Sequence, residues 1–452
     1  MAAAFDKRRI WGWYFFDWAS QPFLTLMLSF IFAPYFATVV GDAVHAQELW
    51  GAGLAVSGIT IAVLAPILGA VADTAGRRMP WIVFFSALYV LGSASLWYAV
   101  PGADSVLFIL IAFGIGMIGM EFATIFTNAL LPGLAPSTET GRISGSGFAF
   151  GYWGGVLSLA VMLVFFAENE SGRTLAGLAP AFGLDPAMRE GTRFVGPFTA
   201  LWYVVFMVPF FLWVKEPRTI APATARLSLR AALLDLWQSL RGILGRRSLM
   251  AWLGGSMFYR DALNGMYAFG GIYAAGILDW SVTQIGTFGV VGAVTAAVAS
   301  WLGGRADRRW GPKPVIVTCC LLLIGVGILL VGMNRHSLFG VALPPGSPLP
   351  DVIFYICGAM IGGAGGALQS ASRTMMVRHT DPARPTEAFG LYALSGKATA
   401  FLAPALIGVV TFATGSQQWG VSPLIGLFLV GLVLLVWVKP DGDPRAWSSS
   451  SP

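Results

Sequence analysis

Long apolar runs separated by short polar stretches fill this chain. About 20 apolar residues span a bilayer as an α-helix, because a rise of about 1.5 Å per residue must cover roughly 30 Å of hydrocarbon. The pattern predicts twelve spans, roughly over 11–40, 49–72, 80–100, 105–131, 143–167, 197–214, 249–278, 283–304, 314–333, 351–372, 387–413 and 421–438. An even number puts both termini on one side. The expected fold is an all-α integral membrane protein of two six-helix halves, 1–214 and 249–452, joined by 215–248.

Within the joining segment, Leu229, Leu233, Leu236, Leu240 and Ile243 share one helical face, with Arg230, Asp235, Gln238 and Arg241 elsewhere. This predicts an amphipathic helix, either lying on the inner membrane surface with its arginines toward anionic lipid or serving as a plain linker. The segment 168–196 is the longest loop on the other side and is expected to be irregular. The Ser-rich tail from Trp447 to Pro452 is expected to be disordered.

Composition agrees with a membrane protein. Of 452 residues, 56% are hydrophobic and 11% charged, against about 25% charged in a soluble domain. Cys319, Cys320 and Cys357 sit inside apolar runs and read as small buried hydrophobes. No Cys-x-x-Cys, His-Glu-x-x-His or phosphate-loop motif occurs, so no metal or cofactor is expected. The apolar run behind Lys7, Arg8 and Arg9 is too long for a cleavable signal peptide.

The net charge of +6 does not point to nucleic acid, because its distribution follows membrane topology. Among the odd-numbered loops only Arg173, Arg189, Arg193 and Arg335 are basic, whereas the even-numbered loops and termini hold most of the Lys and Arg. That asymmetry predicts both termini in the cytoplasm, in a bacterial-type inner membrane.

The two halves echo one another. Gly69-Ala-Val-Ala-Asp73-Thr-Ala-Gly76-Arg77-Arg78 lies between the second and third spans. Gly303-Gly-Arg-Ala-Asp307-Arg308-Arg309-Trp-Gly311 lies between the eighth and ninth. Gly145 and Gly151 in the fifth span match Gly390 and Gly396 in the eleventh, and the same offset pairs Asn128 with Arg373.

The paired Gly-x-x-x-Asp loops resemble the loop signature of the major facilitator superfamily, and the resemblance covers the whole chain. A narrower one rests on Trp13-Tyr-Phe-Phe-Asp17-Trp-Ala-Ser, Phe258-Tyr259-Arg260-Asp261, Gln369-Ser-Ala-Ser-Arg373, and Glu387-Ala-Phe-Gly390-Leu-Tyr392 with Gly396-Lys397. These look like the vacuole-effluxer-like family, which includes vacuolar amino-acid effluxers. The second loop departs by one residue, Asp307 to Gly311 being longer than Asp73 to Gly76. The resemblance implies transport by alternating access, with Gly69, Asp73, Arg77, Gly303 and Asp307 expected as a conformational gate and Arg373 as either a part of that gate or a topology anchor. It also implies that the loop Asp meets the N-terminus of the eleventh span.

Charges inside spans cost at least a few kcal/mol each and mark function by default. Here they are Asp17, Glu121, Arg260, Asp261 and Lys397. Gln21 lies one turn beyond Asp17 on the same face. Arg260, Asn264 and Tyr267 share a face that suits an anionic group, since a guanidinium binds carboxylate or phosphate bidentately. Asp261 projects about 100° away from Arg260 and is expected to take a proton or to pair with Lys397. Lys397 sits about 15 Å into its span. Asp17 and Glu121 are the further proton-site candidates, Glu121 being equally compatible with a helix contact.

Glycines at 147, 151 and 155, and at 358, 362 and 366, read as close helix contacts. The substrate-binding set is therefore Asp17, Gln21, Arg260, Asn264, Tyr267 and Lys397. The expected function is a monomeric secondary transporter, proton-coupled, for a small polar or zwitterionic, amino-acid-like solute. The alternatives are a sugar, peptidoglycan-fragment or drug carrier, and a non-transporting sensor. An enzyme is disfavoured, since no span carries a His or a nucleophile–base pair.

Overall fold

The computed structural model describes residues 6–103, 105–169, 171–216, 241 and 245–442. Apart from Arg241, the expected amphipathic helix at 229–243 lies outside the described residues, as does the tail from Trp447.

The described residues fall into two units. The first holds those of Met1–Leu130 and Phe150–Ser228, the second those of Leu131–Ala149 and Leu229–Pro452.

In the first unit, α1 (Lys7–Pro22) runs through a π-helical stretch, Phe23–Phe30, into α2 (Phe32–Val40). The two limbs meet at 49°. The cause lies four residues past the break: Pro34 has no amide to give the carbonyl of Phe30, and its ring crowds it. Next come α3 (Ala43–Ala75), α4 (Met79–Ser95) and α5 (Val106–Asn128). α6 (Thr140–Phe165) begins in the second unit and enters the first at Phe150. A short α7 (Glu190–Arg193) and α8 (Val195–Trp213) complete the unit.

The second unit contains α9 (Arg247–Leu278), α10 (Val282–Trp310), α11 (Pro312–Gly332), a two-stranded hairpin of β1 (Ser337–Leu338) and β2 (Val341–Ala342), and α12 (Leu349–His379). The next span is broken into α13 (Pro385–Ala398) and α14 (Leu402–Thr414), and α15 (Gln417–Gly420) and α16 (Ser422–Leu435) end the unit. Pro404 breaks that span as Pro34 breaks the first, since it cannot donate to the carbonyl of Ala400.

Ten helices among the described residues are long and apolar enough to cross a membrane, and the bent pair Lys7–Val40 makes an eleventh pass. The remaining expected pass, α9, is 32 residues long, about 48 Å at 1.5 Å per residue. Arg260 and Asp261 stand near its middle among several glycines. Each of the twelve predicted runs is thus helical over most of its length.

The cores are aromatic, and some of the polar ring tips find partners inside, whereas Trp18 Nε1, Tyr89 Oη and Trp252 Nε1 make no hydrogen bond among the described residues. Trp13 Nε1 donates to the Thr127 carbonyl at 2.9 Å, and the Ser86 and Tyr203 hydroxyls share a bond of 2.8 Å. Hydrocarbon offers no alternative partner, which favours such pairing. Small residues set the closest approaches. On α12 the glycine stripe seats α10: a Cβ on Gly366 would lie 2.7 Å from the Ala296 carbonyl, Gly362 packs on Gly292, and Gly358 on Phe288. In the first unit Gly151 packs on Asp17, Gly154 on Trp18 and Gly155 on Gln21. Gly358, Gly362 and Gly366 thus make the helix contacts that their spacing implied, as do Gly151 and Gly155 of the other stripe.

The loop 168–196 is irregular but pinned. Buried Glu168 accepts from the Thr192 amide and hydroxyl and pairs with Arg189 at 3.3 Å.

Candidate functional site

Taken unit by unit, the sequence candidates form two groups in each. In the first unit Asp17 and Gln21 lie half-buried on α1, facing the small residues of α6. A Cβ at Gly151 would come 3.2 Å from Asp17 Cβ, and one at Gly155 would come 2.9 Å from Gln21 Cγ. A wall of rings stands beside them: Trp18 stacks on Trp202 at 6.0 Å and tilts against Phe150 at 4.5 Å. Glu121 is half-buried on α5. Gly119, two residues earlier, packs on α4 at Phe85 and Tyr89. Two residues turn a helix by about 200°, so Glu121 faces away from that contact.

The first signature loop forms a charged knot. Gly76 ends α3 in the left-handed region at φ 65°, where glycine carries no side-chain penalty. Arg78 donates to Asp73 at 2.9 Å and approaches Glu216 at 3.4 Å. Glu216 also accepts from the amides of Arg78 and Met79, at 2.9 and 3.1 Å. Those amides start α4, whose N-terminus favours an anion. Arg77 points to the surface and Gly69 is buried in α3. The basic residue that holds Asp73 is Arg78, the neighbour of the gate candidate Arg77. Glu216 was missed, since it lies 138 residues further along the chain.

The second signature loop and the start of α6 form a cluster inside the second unit. Asp307 is 1% exposed, and neither of its carboxylate oxygens has a hydrogen-bond partner. The Thr374 hydroxyl and the Arg378 guanidinium lie near it. Gly141, in the first turn of α6, lies flush against this carboxylate: a Cβ there would come 2.6 Å from Oδ1. Only glycine admits that approach, which places the acid at the positive end of α6. Glu139 is held by Arg142 at 2.7 Å and by Arg308 at 2.8 Å.

Arg373, 3% exposed, donates from Nε to the Ser144 hydroxyl at 2.9 Å and from Nη2 to the Ser144 carbonyl at 2.8 Å. Its guanidinium also lies over the Phe148 ring at 4.2 Å. These bonds clamp the first turns of α6 into the second unit. Gly303 packs on Ala367, whereas Gly304 meets Gly145 on α6. The glycine that touches α6 is thus the neighbour of the one singled out.

The last group surrounds the break in the α13–α14 span. Arg260 of α9 is half-buried. One Nη donates to the Tyr392 carbonyl at 3.0 Å, and the guanidinium lies over the Tyr392 ring at 4.1 Å. Gly396 closes the other side, where a Cβ would come 2.6 Å from Arg260 Cζ. A planar cation sits in a slot that only a glycine leaves open. Asn264 is exposed, and Tyr267 is 44% exposed with its hydroxyl against Gly365.

Asp261 is 2% exposed. Its Oδ2 accepts from the Ala403 amide at 2.9 Å, while Oδ1 has no hydrogen-bond partner. Ala403 is in the first turn of α14, so Asp261 caps that helix from another span. Asp261, expected to take a proton or to pair with Lys397, makes this cap. Lys397 lies half-buried in the last turn of α13, where the negative helix end favours a cation. The two broken ends are thus matched in charge, acid at the N-terminal end and base at the C-terminal end. Among the described residues no group of three His, Cys, Asp or Glu could hold a metal ion.

Residues 40–443 match the family described as vacuole effluxer Atg22-like. The chain is 24% identical over 445 residues to the uncharacterized MFS-type transporter YxiO of Bacillus subtilis, covering 95% of this chain and 94% of that one. It is 23% identical over 322 residues to autophagy-related protein 22 of Cryptococcus neoformans, covering 68% of this chain and 52% of the fungal protein. The match therefore spans about half of the fungal relative. In solved structures, the fucose:proton symporter FucP of E. coli superposes with a TM-score of 0.68 at 14% identity, over 95% of this chain and 98% of that one. The proton:xylose symporter XylE superposes at 0.69 with 12% identity, over 97% and 98%. The chain belongs to the vacuole effluxer Atg22-like family and carries the major facilitator fold.

Proposed function

We propose that the protein is a secondary active transporter that moves a small polar or zwitterionic solute by alternating access, coupled to protons. It works as a monomer in a bacterial-type inner membrane with both termini cytoplasmic. The observation that carries this reading is the Arg260–Asp261 pair at the break of the α13–α14 span. Arg260 is held flat between Tyr392 and Gly396, and the Tyr392 carbonyl occupies one of its five N–H donors. The others suit a solute carboxylate. Asn264 and Tyr267, on the same face, and Lys397 contribute further polar contacts.

Asp261 is the proton acceptor. Its Oδ1 has an open lone pair, and protonation weakens its hold on the Ala403 amide. A proton at Asp261 therefore loosens the start of α14 and links protonation to the shape of the span. Asp17, Gln21 and Glu121 are the polar groups of the first unit in the same process. The two signature loops act as conformational gates: Asp73 with Gly69, Gly76 and Arg78, and Asp307 with Gly303, Gly304 and Arg373. No nucleotide motif offers another energy source.

A sugar is the second reading. The Trp18–Trp202 wall suits the apolar face of a pyranose, and the structural neighbours FucP and XylE are sugar:proton symporters by name. Uptake into proteoliposomes, with and without an imposed pH gradient, separates the two. Accumulation of labelled amino acids driven by the gradient supports the first reading. Gradient-driven uptake of sugars alone overturns it in favour of the second.

A further inference from the structure

Away from the polar groups, a cavity of about 500 Å³ opens on the flank of the second unit. It lies between the outer ends of α11 and α16, at the end of these helices opposite the Asp307 loop. Its floor is where the helices touch: Gly327 admits Ile425, to which a Cβ would come 2.8 Å. The hairpin, through Ser337, Phe339 and Gly340, and α15, through Gln418 and Trp419, line the cavity together with α11 and α16.

The roof is built from unusual local choices. Phe339 lies in the left-handed region at φ 50°, a strained conformation for a bulky residue. Its amide donates to the Gly332 carbonyl at 2.6 Å, and its ring rests on Gly332, where any Cβ would collide with it. Asn334 Oδ1 accepts from the amides of His336 and Ser337, at 2.9 and 2.8 Å, and fixes the approach to the hairpin. Gln418 Nε2 donates to the Val331 carbonyl at 2.6 Å, satisfying an end of α11.

The cavity faces outward. Ile328 is 47% exposed, Trp419 55% and Phe339 56%, whereas Leu323, Val326 and Leu330 on the other side of α11 are buried. In a membrane-spanning protein that outer surface meets hydrocarbon. The lower wall is apolar, with Ile328 and Ile425. The rim carries neutral donors: the Asn334 amide nitrogen, the second Gln418 N–H and the Ser337 hydroxyl. No charged side chain lines the cavity. Neutral donors above an apolar cup match ester carbonyls, which only accept, above an acyl chain. A charged phosphate headgroup finds no partner there.

We infer that this crevice is a binding site for the glycerol-ester region and upper acyl chain of a membrane lipid. The lipid comes from the leaflet on the side of the hairpin. It seals the gap between α11 and α16 that the Gly327–Ile425 contact leaves above it.

The test uses the full chain in nanodiscs containing a phospholipid with a diazirine near the ester end of one acyl chain. After irradiation, mass spectrometry maps the labelled peptides. Labelling should concentrate on the peptides of Ile328, Phe339 and Trp419, above that at Ile111, a 52% exposed residue on the flank of α5. Ile425→Trp fills the cup and should lower crevice labelling roughly tenfold, about 1.4 kcal/mol of site affinity, while Ile111 labelling is unchanged. Crevice labelling equal to that at Ile111, or insensitive to Ile425→Trp, overturns the inference. So does labelling by a water-soluble diazirine in place of the lipid. Should Ile425→Trp fail to fold, native mass spectrometry of the unaltered protein decides. One phospholipid retained after the others are stripped supports the site, and loss of all lipids together refutes it.

Discussion

The Asp261 carboxylate caps the Ala403 amide, 142 residues further along the chain, at 2.9 Å. One side chain thereby holds the start of a half-helix that belongs to another span. Pro404 has already removed the hydrogen bond that would keep that span continuous, so the break depends on Asp261 for its local order. Replacing an N-cap by Ala costs about 1 kcal/mol. Asp261→Ala should therefore lower the thermal midpoint of the purified protein. Asp261→Asn keeps an oxygen for the amide but cannot take a proton. It should preserve solute exchange between equal pools and lose accumulation driven by a pH gradient. Gradient-driven accumulation that survives in Asp261→Asn moves the proton site to Asp17 or Glu121.

The fit of Gly141 against Asp307 makes the second prediction. A methyl group at 141 would enter the space of the carboxylate. Overpacking of this kind costs roughly 1–3 kcal/mol. Gly141→Ala should be destabilised in a thermal melt, and Asp307→Ala in the same chain should recover most of the loss by making room. A double-mutant cycle measures the coupling, and purely additive effects would show that the two positions do not press on each other.

The spans were legible in the sequence because hydropathy alone encodes them, and the glycine stripes because a four-residue repeat names a helix face. The breaks were less legible. Pro34 and Pro404 stood inside apolar runs that looked continuous, yet each marks a break four residues earlier. The broken span then explains Asp261, whose partner is a backbone amide with no sequence signature. Arg78 was in view beside Arg77, but adjacent residues point in different directions, and spacing does not say which one turns toward Asp73. Glu216 was out of reach because the contact spans 138 residues. The hairpin crevice was likewise invisible, since it depends on the positive φ of Phe339.

Asp73 supports a prediction about turnover. Its partner Arg78 is shared with Glu216, which caps the start of α4. Asp73→Asn weakens a charge-assisted bond of about 1.5–3 kcal/mol away from any solute contact. Transport velocity should fall several-fold while equilibrium solute affinity changes little. Normal turnover in Asp73→Asn would remove the loop from the conformational cycle.

Topology is tested with maleimide labelling in intact cells. Cys319, Cys320 and Cys357 are free and buried, so the natural chain should give little background. Asp185 and Asp441 are exposed at loop positions. Asp185→Cys should react with an impermeant maleimide from outside, and Asp441→Cys only after permeabilisation. The reverse pattern would invert the proposed orientation.

Arg260 gives the most direct test of the solute site. Its guanidinium lies flat over Tyr392 at 4.1 Å and fills the slot beside Gly396. A lysine keeps the charge but has neither the plane nor the paired donors. Arg260→Ala should abolish solute binding measured by calorimetry, and Arg260→Lys should recover only a small part of it. Gly396→Ala pushes a methyl group into the guanidinium and should weaken binding while leaving every charge in place. Together these variants separate shape from charge: a site that needs only positive charge would tolerate Arg260→Lys and Gly396→Ala alike. Binding unaffected by Arg260→Ala would end the role of Arg260 as the anion anchor.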